Sequence, residues 1–76
     1  MLEMGQRLRR VLDTYGISQN KLAVTMGISR ANVGRWYHGL DPTAENIAQI
    51  TQALKTLNPL AAKDFVRLYL GVIVED

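Results

Sequence analysis

Two arginines that lie close together in the chain, Arg30 and Arg35, have side chains suited to reading nucleic acid. An arginine guanidinium can donate two parallel hydrogen bonds to guanine O6 and N7 in the major groove of duplex DNA, which contributes about 1 to 3 kcal/mol of discrimination between bases. Val33 and Trp36, in the same segment, are spaced as on one face of a helix. Since each helical residue turns by about 100°, Arg35 then points away from Val33 and Arg30 lies on a flank.

The same helical geometry supplies the other candidate DNA contacts. Ala31 points outward and can meet a thymine methyl group, while Asn32 lies on the second flank and can bind an adenine edge or a phosphate. The candidate base-contacting residues are Arg30, Ala31, Asn32 and Arg35. Residues near helix ends are better placed for phosphates, because free backbone amides and the helix dipole favour anions there. The candidate phosphate-contacting residues are Gln19, Lys21, Ser29 and His38.

Few residues of the chain could support catalysis or bind a metal. The sequence has no cysteine and one histidine, which excludes disulfides, thiolate metal ligands and a cysteine nucleophile. Ser18 and Ser29 precede helical segments and are interpreted as caps, and no glycine-rich phosphate loop is present. We therefore predict that the protein is not an enzyme and binds no metal, cofactor or small-molecule ligand.

Positive charge is concentrated in the first half of the chain. Residues 1–40 contain six arginines or lysines and two acids, whereas residues 41–76 contain three and five. The first half is thus suited to nucleic acid, with Arg7, Arg9 and Arg10 expected to form a solvated helix face that attracts phosphates only incidentally. No apolar stretch approaches the ~18 residues of a membrane span, and the N-terminus leads into charged residues. We expect a cytoplasmic, nucleoid-associated protein of bacterial or phage type with no membrane partner.

Apolar periodicity and capping residues predict the first helices of the fold. Apolar residues recur at intervals of three and four between Leu2 and Tyr15, and Gly16 is a suitable end for that helix. Ser18 caps a short second helix that stops at Gly27, and Ser29 caps a third of about ten residues. The apolar stripe of the third helix consists of Val33, Trp36, Tyr37 and Leu40.

Two more helices follow. Thr43 caps a fourth helix that runs to about Leu57, and Asn58 followed by Pro59 opens a fifth. The β-branched residues of the segment 71–74 suit either a short strand or a helical extension. We predict a single all-α domain over residues 1–76, with five helices and a C-terminal extension of one of these two kinds.

Residues from about Gln19 to His38 have the pattern of a helix-turn-helix. Ala23 is small where the two helices would cross, and Gly27 makes the turn. The predicted buried positions are Leu22, Met26, Ile28, Val33 and Trp36. In this pattern the chain resembles the Cro and phage-repressor-like (XRE-type) helix-turn-helix proteins, from Gly5 to about Leu57. The matching stretches are Met4-Gly5-Gln6-Arg7-Leu8-Arg9, Gly16-Ile17-Ser18-Gln19, Lys21-Leu22-Ala23, Gly27-Ile28-Ser29, Val33 with Trp36 and Gly39, and Pro42-Thr43 before Ile47, Ile50 and Leu54.

The resemblance implies a compact, lambda-repressor-like domain whose third helix reads bases and in which Gln19 touches a phosphate. The chain departs from the family at one pair of positions, since members often carry an arginine where it has Leu12 and a glutamate where it has Tyr37. We predict that Leu12 packs against the Tyr37 ring and replaces an ion pair of small net stability.

The fifth helix has apolar residues around most of its circumference, which a monomer would expose. Large exposed apolar patches usually mark an interface, so residues about 59–76 are predicted to form a symmetric homodimer. The predicted interface residues are Phe65, Leu68, Tyr69, Val72 and Ile73. The alternative is that the tail covers the domain's own core. A two-fold dimer would address half-sites about 34 Å apart in a palindromic operator.

The leading hypothesis is sequence-specific binding of double-stranded DNA by a small transcriptional regulator, a repressor that inserts its third helix in the major groove. The alternative is a protein-interaction or antitoxin-like accessory module with the same fold. The positive charges of Arg30 and Arg35 favour the first hypothesis.

Overall fold

The structure is a computed structural model that describes residues 4–75, with side chains described as far as Gly71. Residues 4–75 form five α-helices, in the order α1 (Met4–Tyr15), α2 (Gln19–Met26), α3 (Arg30–Tyr37), α4 (Ala44–Leu57) and α5 (Pro59–Glu75). The all-α prediction is confirmed, and the open question about the tail is decided in favour of helix, because residues 71–75 continue α5. Within the described range, none of the helices is both long and apolar enough to cross a bilayer.

The predicted caps fix where the short helices begin. The Ser18 hydroxyl oxygen accepts a hydrogen bond from the Lys21 backbone amide at 3.0 Å, and that of Ser29 accepts from the Ala31 amide at 3.1 Å. Thr43 closes a reciprocal capping box at the start of α4. Each cap contributes about 0.5 to 2 kcal/mol to stability, which matters for α2 and α3 because each has only eight residues.

Gly27 makes the turn between α2 and α3. Its φ of 73° lies in the left-handed region, which any residue with a Cβ adopts only with strain. The Ile28 amide then donates back to the Ala23 carbonyl at 3.0 Å, which completes the C-terminal cap of α2. The turn thus sets the angle at which α3 leaves α2.

One hydrophobic core joins all five helices. Its largest fully buried side chains are Phe65, Met4, Leu8, Leu12, Leu22, Ile50, Leu54 and Val33. Met26 and Ile28 are half-buried against this core. Leu40 departs from the prediction: its side chain is 57% exposed, because α3 ends at Tyr37 and Gly39 turns the chain with a φ of 114°.

The start of α1 packs closely on the end of α3. A Cβ atom added to Gly5 would lie 2.5 Å from the Trp36 carbonyl oxygen and 2.9 Å from that of Leu40. The Gly5 amide also donates to an Asp41 carboxylate oxygen at 3.3 Å. The absence of a side chain at Gly5 therefore sets the distance between α1 and α3.

Helix α5 covers the core at the opposite end of α1. Ala61, Ala62 and Phe65 are buried, and the Tyr15 hydroxyl at the end of α1 donates a hydrogen bond to the Asp64 carboxylate. Phe65 is 0% exposed within a single chain, so it does not fit the predicted dimer interface. For this residue the alternative expectation, that the C-terminal segment covers the domain's own core, describes the fold.

Candidate nucleic-acid interface

The two faces of α3 differ sharply in exposure. Val33 and Trp36 are buried at 0% and 6% exposure. Three of the predicted contact residues lie on the opposite side and are exposed, namely Ala31, Arg35 and His38, and Arg30 is exposed on a flank. Asn32 is half-buried on one flank. Within the range 4–71, neither Arg30 nor Arg35 has an ion pair or side-chain hydrogen bond to another residue, and both side chains are exposed.

Gln19, the first residue of α2, lies beside the middle of α3. A Cβ built on Gly34 would meet the Gln19 side-chain oxygen at 3.6 Å, which is an ordinary van der Waals distance. Gln19 is half-buried there, and its backbone belongs to the first turn of α2, where amides have no partner within the helix. Gln19, which is predicted to contact a phosphate, therefore lies next to the exposed side of α3.

Two shallow recesses lie between α3 and the preceding helices. The α2 recess is lined by Asp13, Ile17, Ser18, Gln19, Asn20, Arg30 and Tyr37. The α1 recess is lined by Gln6, Arg9, Arg10, Asp13, Thr14, Tyr37 and His38. The structure thus brings predicted contacts Gln19 and Arg30 together in one recess and places His38 in its neighbour. Lys21 and Ser29 are exposed outside both recesses, at the starts of α2 and α3.

Tyr37 and Asp13 separate the two recesses. The Tyr37 hydroxyl donates to the Asp13 carboxylate at 2.8 Å, and the Arg9 guanidinium carbon lies 4.9 Å from the centre of the Tyr37 ring. The hydrogen bond to Asp13, together with partial burial, raises the pKa of Tyr37 above its ordinary value, so the phenol stays neutral and donates at neutral pH. Arg9 and Asp13 thereby join α1 to the last residue of α3.

Sequence reasoning missed this cluster. It placed Tyr37 on the apolar stripe of α3 and in contact with Leu12, and Tyr37 does pack on the core to which Leu12 belongs. Arg9 and Asp13 are four residues apart and so lie on one face of α1, and this spacing was the available signal. Which neighbour that face meets depends on how α1 and α3 are rotated against each other, and the sequence does not fix that rotation.

Two short capped helices joined by a glycine turn, the second of which carries exposed arginines beside and opposite its buried stripe, define a helix-turn-helix DNA-binding domain. The family model for the Cro/C1-type HTH DNA-binding domain matches residues 7–57, about two thirds of the chain. The chain belongs to this family, and its predicted family and fold are confirmed. Comparison with curated proteins and with solved structures gave no significant match. Helix α5 lies outside the matched segment.

Proposed function

We propose that this protein is a sequence-specific transcriptional regulator, a repressor, that inserts α3 into the major groove of double-stranded DNA. The observation that carries the proposal is the pair of exposed arginines on α3, with Arg35 opposite buried Val33 and Arg30 on a flank. An exposed guanidinium can form the bidentate contact with guanine. Such a regulator would act on nucleoid DNA in the cytoplasm.

The remaining predicted contacts have distinct roles in this proposal. Arg35 and Arg30 read guanine, Ala31 meets a thymine methyl group, and half-buried Asn32 binds a base edge or phosphate from the flank. Phosphates are bound by Gln19, Lys21, Ser29 and His38. The Ser29 oxygen accepts from the Ala31 amide, and its hydroxyl hydrogen remains available to donate to a phosphate oxygen.

We also propose that the regulator is a homodimer that binds a palindromic operator. Support comes from the last described turns of α5, where Leu70 is 53% exposed and Leu68 and Tyr69 are only half-buried. The same helix continues into Val72 and Ile73, whose side chains lie outside the described residues. Since Phe65 is buried in the core, the proposed interface residues are Leu68, Tyr69, Val72 and Ile73. A two-fold axis there would present two copies of α3 to half-sites about 34 Å apart.

The proposal is tested by measuring duplex DNA binding of an Arg35→Ala protein, with Lys55→Ala as the matched control. Lys55 is an exposed cation on α4 that lines a groove between α4 and α5 and neither of the recesses beside α3. If Arg35 reads a base, its removal lowers affinity for the preferred sequence by about 5- to 150-fold, the equivalent of 1 to 3 kcal/mol. The difference in affinity between that sequence and other sequences becomes smaller as well. The control retains wild-type affinity, and circular dichroism establishes that both variants are folded.

A protein-interaction or antitoxin-like accessory module is the second candidate function. It is favoured by the apolar residues that α5 leaves exposed, namely Leu60 at 61% and Leu70 at 53%. Under this alternative, Arg35→Ala leaves any residual DNA affinity unchanged. Equal affinity of the folded Arg35→Ala variant and the wild type would therefore decide for the second candidate.

A further inference from the structure

We propose that Arg9, on the N-terminal helix, is an additional DNA phosphate ligand that the Tyr37 ring holds in place at the C-terminal end of α3. This inference rests on the proposed function, since it requires α3 to lie on duplex DNA. It differs from the sequence-based expectation, in which Arg9 belongs to a solvated helix face.

The Tyr37 ring is a fixed platform for the Arg9 side chain. Tyr37 packs on the core, its hydroxyl donates to Asp13 at 2.8 Å, and its ring meets the His38 ring edge-on with centroids 5.8 Å apart. The Arg9 guanidinium carbon lies 4.9 Å from the centre of that ring. An exposed arginine ordinarily loses much rotational freedom when it binds an anion. Because the ring already restrains Arg9, less freedom remains to be lost.

The contact with Tyr37 uses only part of the hydrogen-bonding capacity of Arg9. A guanidinium has five N–H donors, more than its contact with one side chain can occupy. Arg9 is exposed. A phosphate at the surface can therefore accept from the remaining donors while the guanidinium stays beside the Tyr37 ring.

The position of Arg9 places this donor beside the residues already proposed to contact DNA. Arg9, Arg10 and His38 line the α1 recess, and Gln19 and Arg30 line the α2 recess on the other side of the Tyr37–Asp13 pair. Side chains with hydrogen-bond donors therefore lie along one side of α3, from its first residue to its C-cap. The α1 recess keeps a net positive charge, since Asp13 is the single acid among its lining residues. Such a row suits a sugar–phosphate backbone that runs along the recognition helix.

The test is a salt titration of the equilibrium binding constant with a fluorescent duplex bound by the wild type, Arg9→Gln and Lys55→Gln. Each phosphate neutralised contributes a slope of about −0.9 to the plot of log K against log salt. Arg9→Gln is expected to reduce the slope by about 0.9, which corresponds to an affinity loss of about eightfold at 0.1 M salt. Lys55→Gln loses the same charge from an exposed position on α4 and keeps the wild-type slope.

Two further variants separate a phosphate contact from a merely structural role. Arg9→Lys keeps the charge and restores the slope, although it lacks the planar donor edge. Tyr37→Leu removes the platform and lowers affinity, and adding Arg9→Gln to it causes less further loss than in the wild type. If circular dichroism shows that Tyr37→Leu does not fold, the Arg9 variants alone decide whether Arg9 contacts a phosphate.

The outcomes distinguish this inference from the proposed function. A folded Arg9→Gln protein with wild-type slope and affinity overturns the inference, while a loss of affinity in Arg35→Ala leaves the proposed function standing. A wild type that does not bind duplex DNA overturns both.

Discussion

The close contact between α1 and α3 predicts opposite effects for one substitution at two glycines. In Gly5→Ala, the new Cβ would lie 2.5 Å from the Trp36 carbonyl oxygen and 2.9 Å from that of Leu40. Ordinary contacts begin at 3.4 Å, so the Cβ must move about 0.9 Å away from the first oxygen. Both oxygens belong to the backbone, and the strain therefore cannot be relieved by rotating a side chain.

The expected cost follows from overpacking. Forcing extra volume into a packed contact lowers the unfolding free energy by about 1 to 3 kcal/mol. The higher helix propensity of alanine offsets part of that loss. Gly5→Ala should therefore lose about 1 to 2 kcal/mol of unfolding free energy. In a domain of this size, each kcal/mol corresponds to about 4 to 8 °C in Tm. The expected decrease in Tm is about 4 to 16 °C.

Gly34→Ala is the matched control, because its Cβ would meet the Gln19 side chain at 3.6 Å and nothing closer. Alanine in the interior of α3 should raise stability by up to about 1 kcal/mol, or about 4 to 8 °C in Tm. Thermal and urea unfolding followed by circular dichroism measure both variants. A Gly5→Ala protein as stable as the wild type would refute the deduced spacing of α1 and α3.

The same Gly34→Ala protein answers a question about DNA. Gly34 either allows α3 to sit deeper in the groove or is merely tolerated in the helix. Since its Cβ would fit beside Gln19 without a clash, we expect Gly34→Ala to bind DNA as the wild type does. A more stable protein with weaker DNA binding would show instead that the groove needs the glycine.

Other perturbations test single contacts. Ser29→Ala removes the cap of α3 and should lower the unfolding free energy by about 0.5 to 2 kcal/mol in urea titrations, with Ser29→Gly losing only a few tenths. The hydrogen bond to Asp64 raises the pKa of Tyr15 above the ordinary value of 10.0, so its contribution to the unfolding free energy is complete below pH 10 and is lost as pH rises through the folded-state pKa. Thermal scans at increasing pH should therefore show a smaller loss of stability for Tyr15→Phe than for the wild type. An unchanged pH profile would contradict this role of Tyr15. Leu70→Glu should convert a dimer into monomers in sedimentation at micromolar concentration, whereas a monomeric wild type would remove the dimer from the proposal.

Local signals in the sequence were sufficient for most of the fold. The starts of α2, α3 and α4 were predicted because Ser18, Ser29 and Thr43 act on amides within three residues of themselves. The buried face of α3 followed from the spacing of Val33 and Trp36, and the exposed arginines followed from that face.

Features that depend on the packing of distant segments were not predictable in this way. Helix α5 has apolar residues around most of its own circumference, so periodicity could not show that Phe65 points into the core. Leu40 continued the apolar stripe of α3 in the sequence, but the helix had already ended. The contacts of Tyr37 with Arg9 and Asp13 depend on the relative rotation of two helices more than twenty residues apart.

The most direct test of the central claim is a selection of duplexes from a random pool, performed in parallel with the wild type and with Arg35→Ala. If the exposed side of α3 reads bases, the wild type enriches a defined motif, palindromic if the protein is a dimer, and Arg35→Ala loses the preference for guanine at one position of each half-site. A wild type that enriches no motif, or a folded variant that enriches the same motif with equal strength, would contradict the proposed reading of DNA by α3.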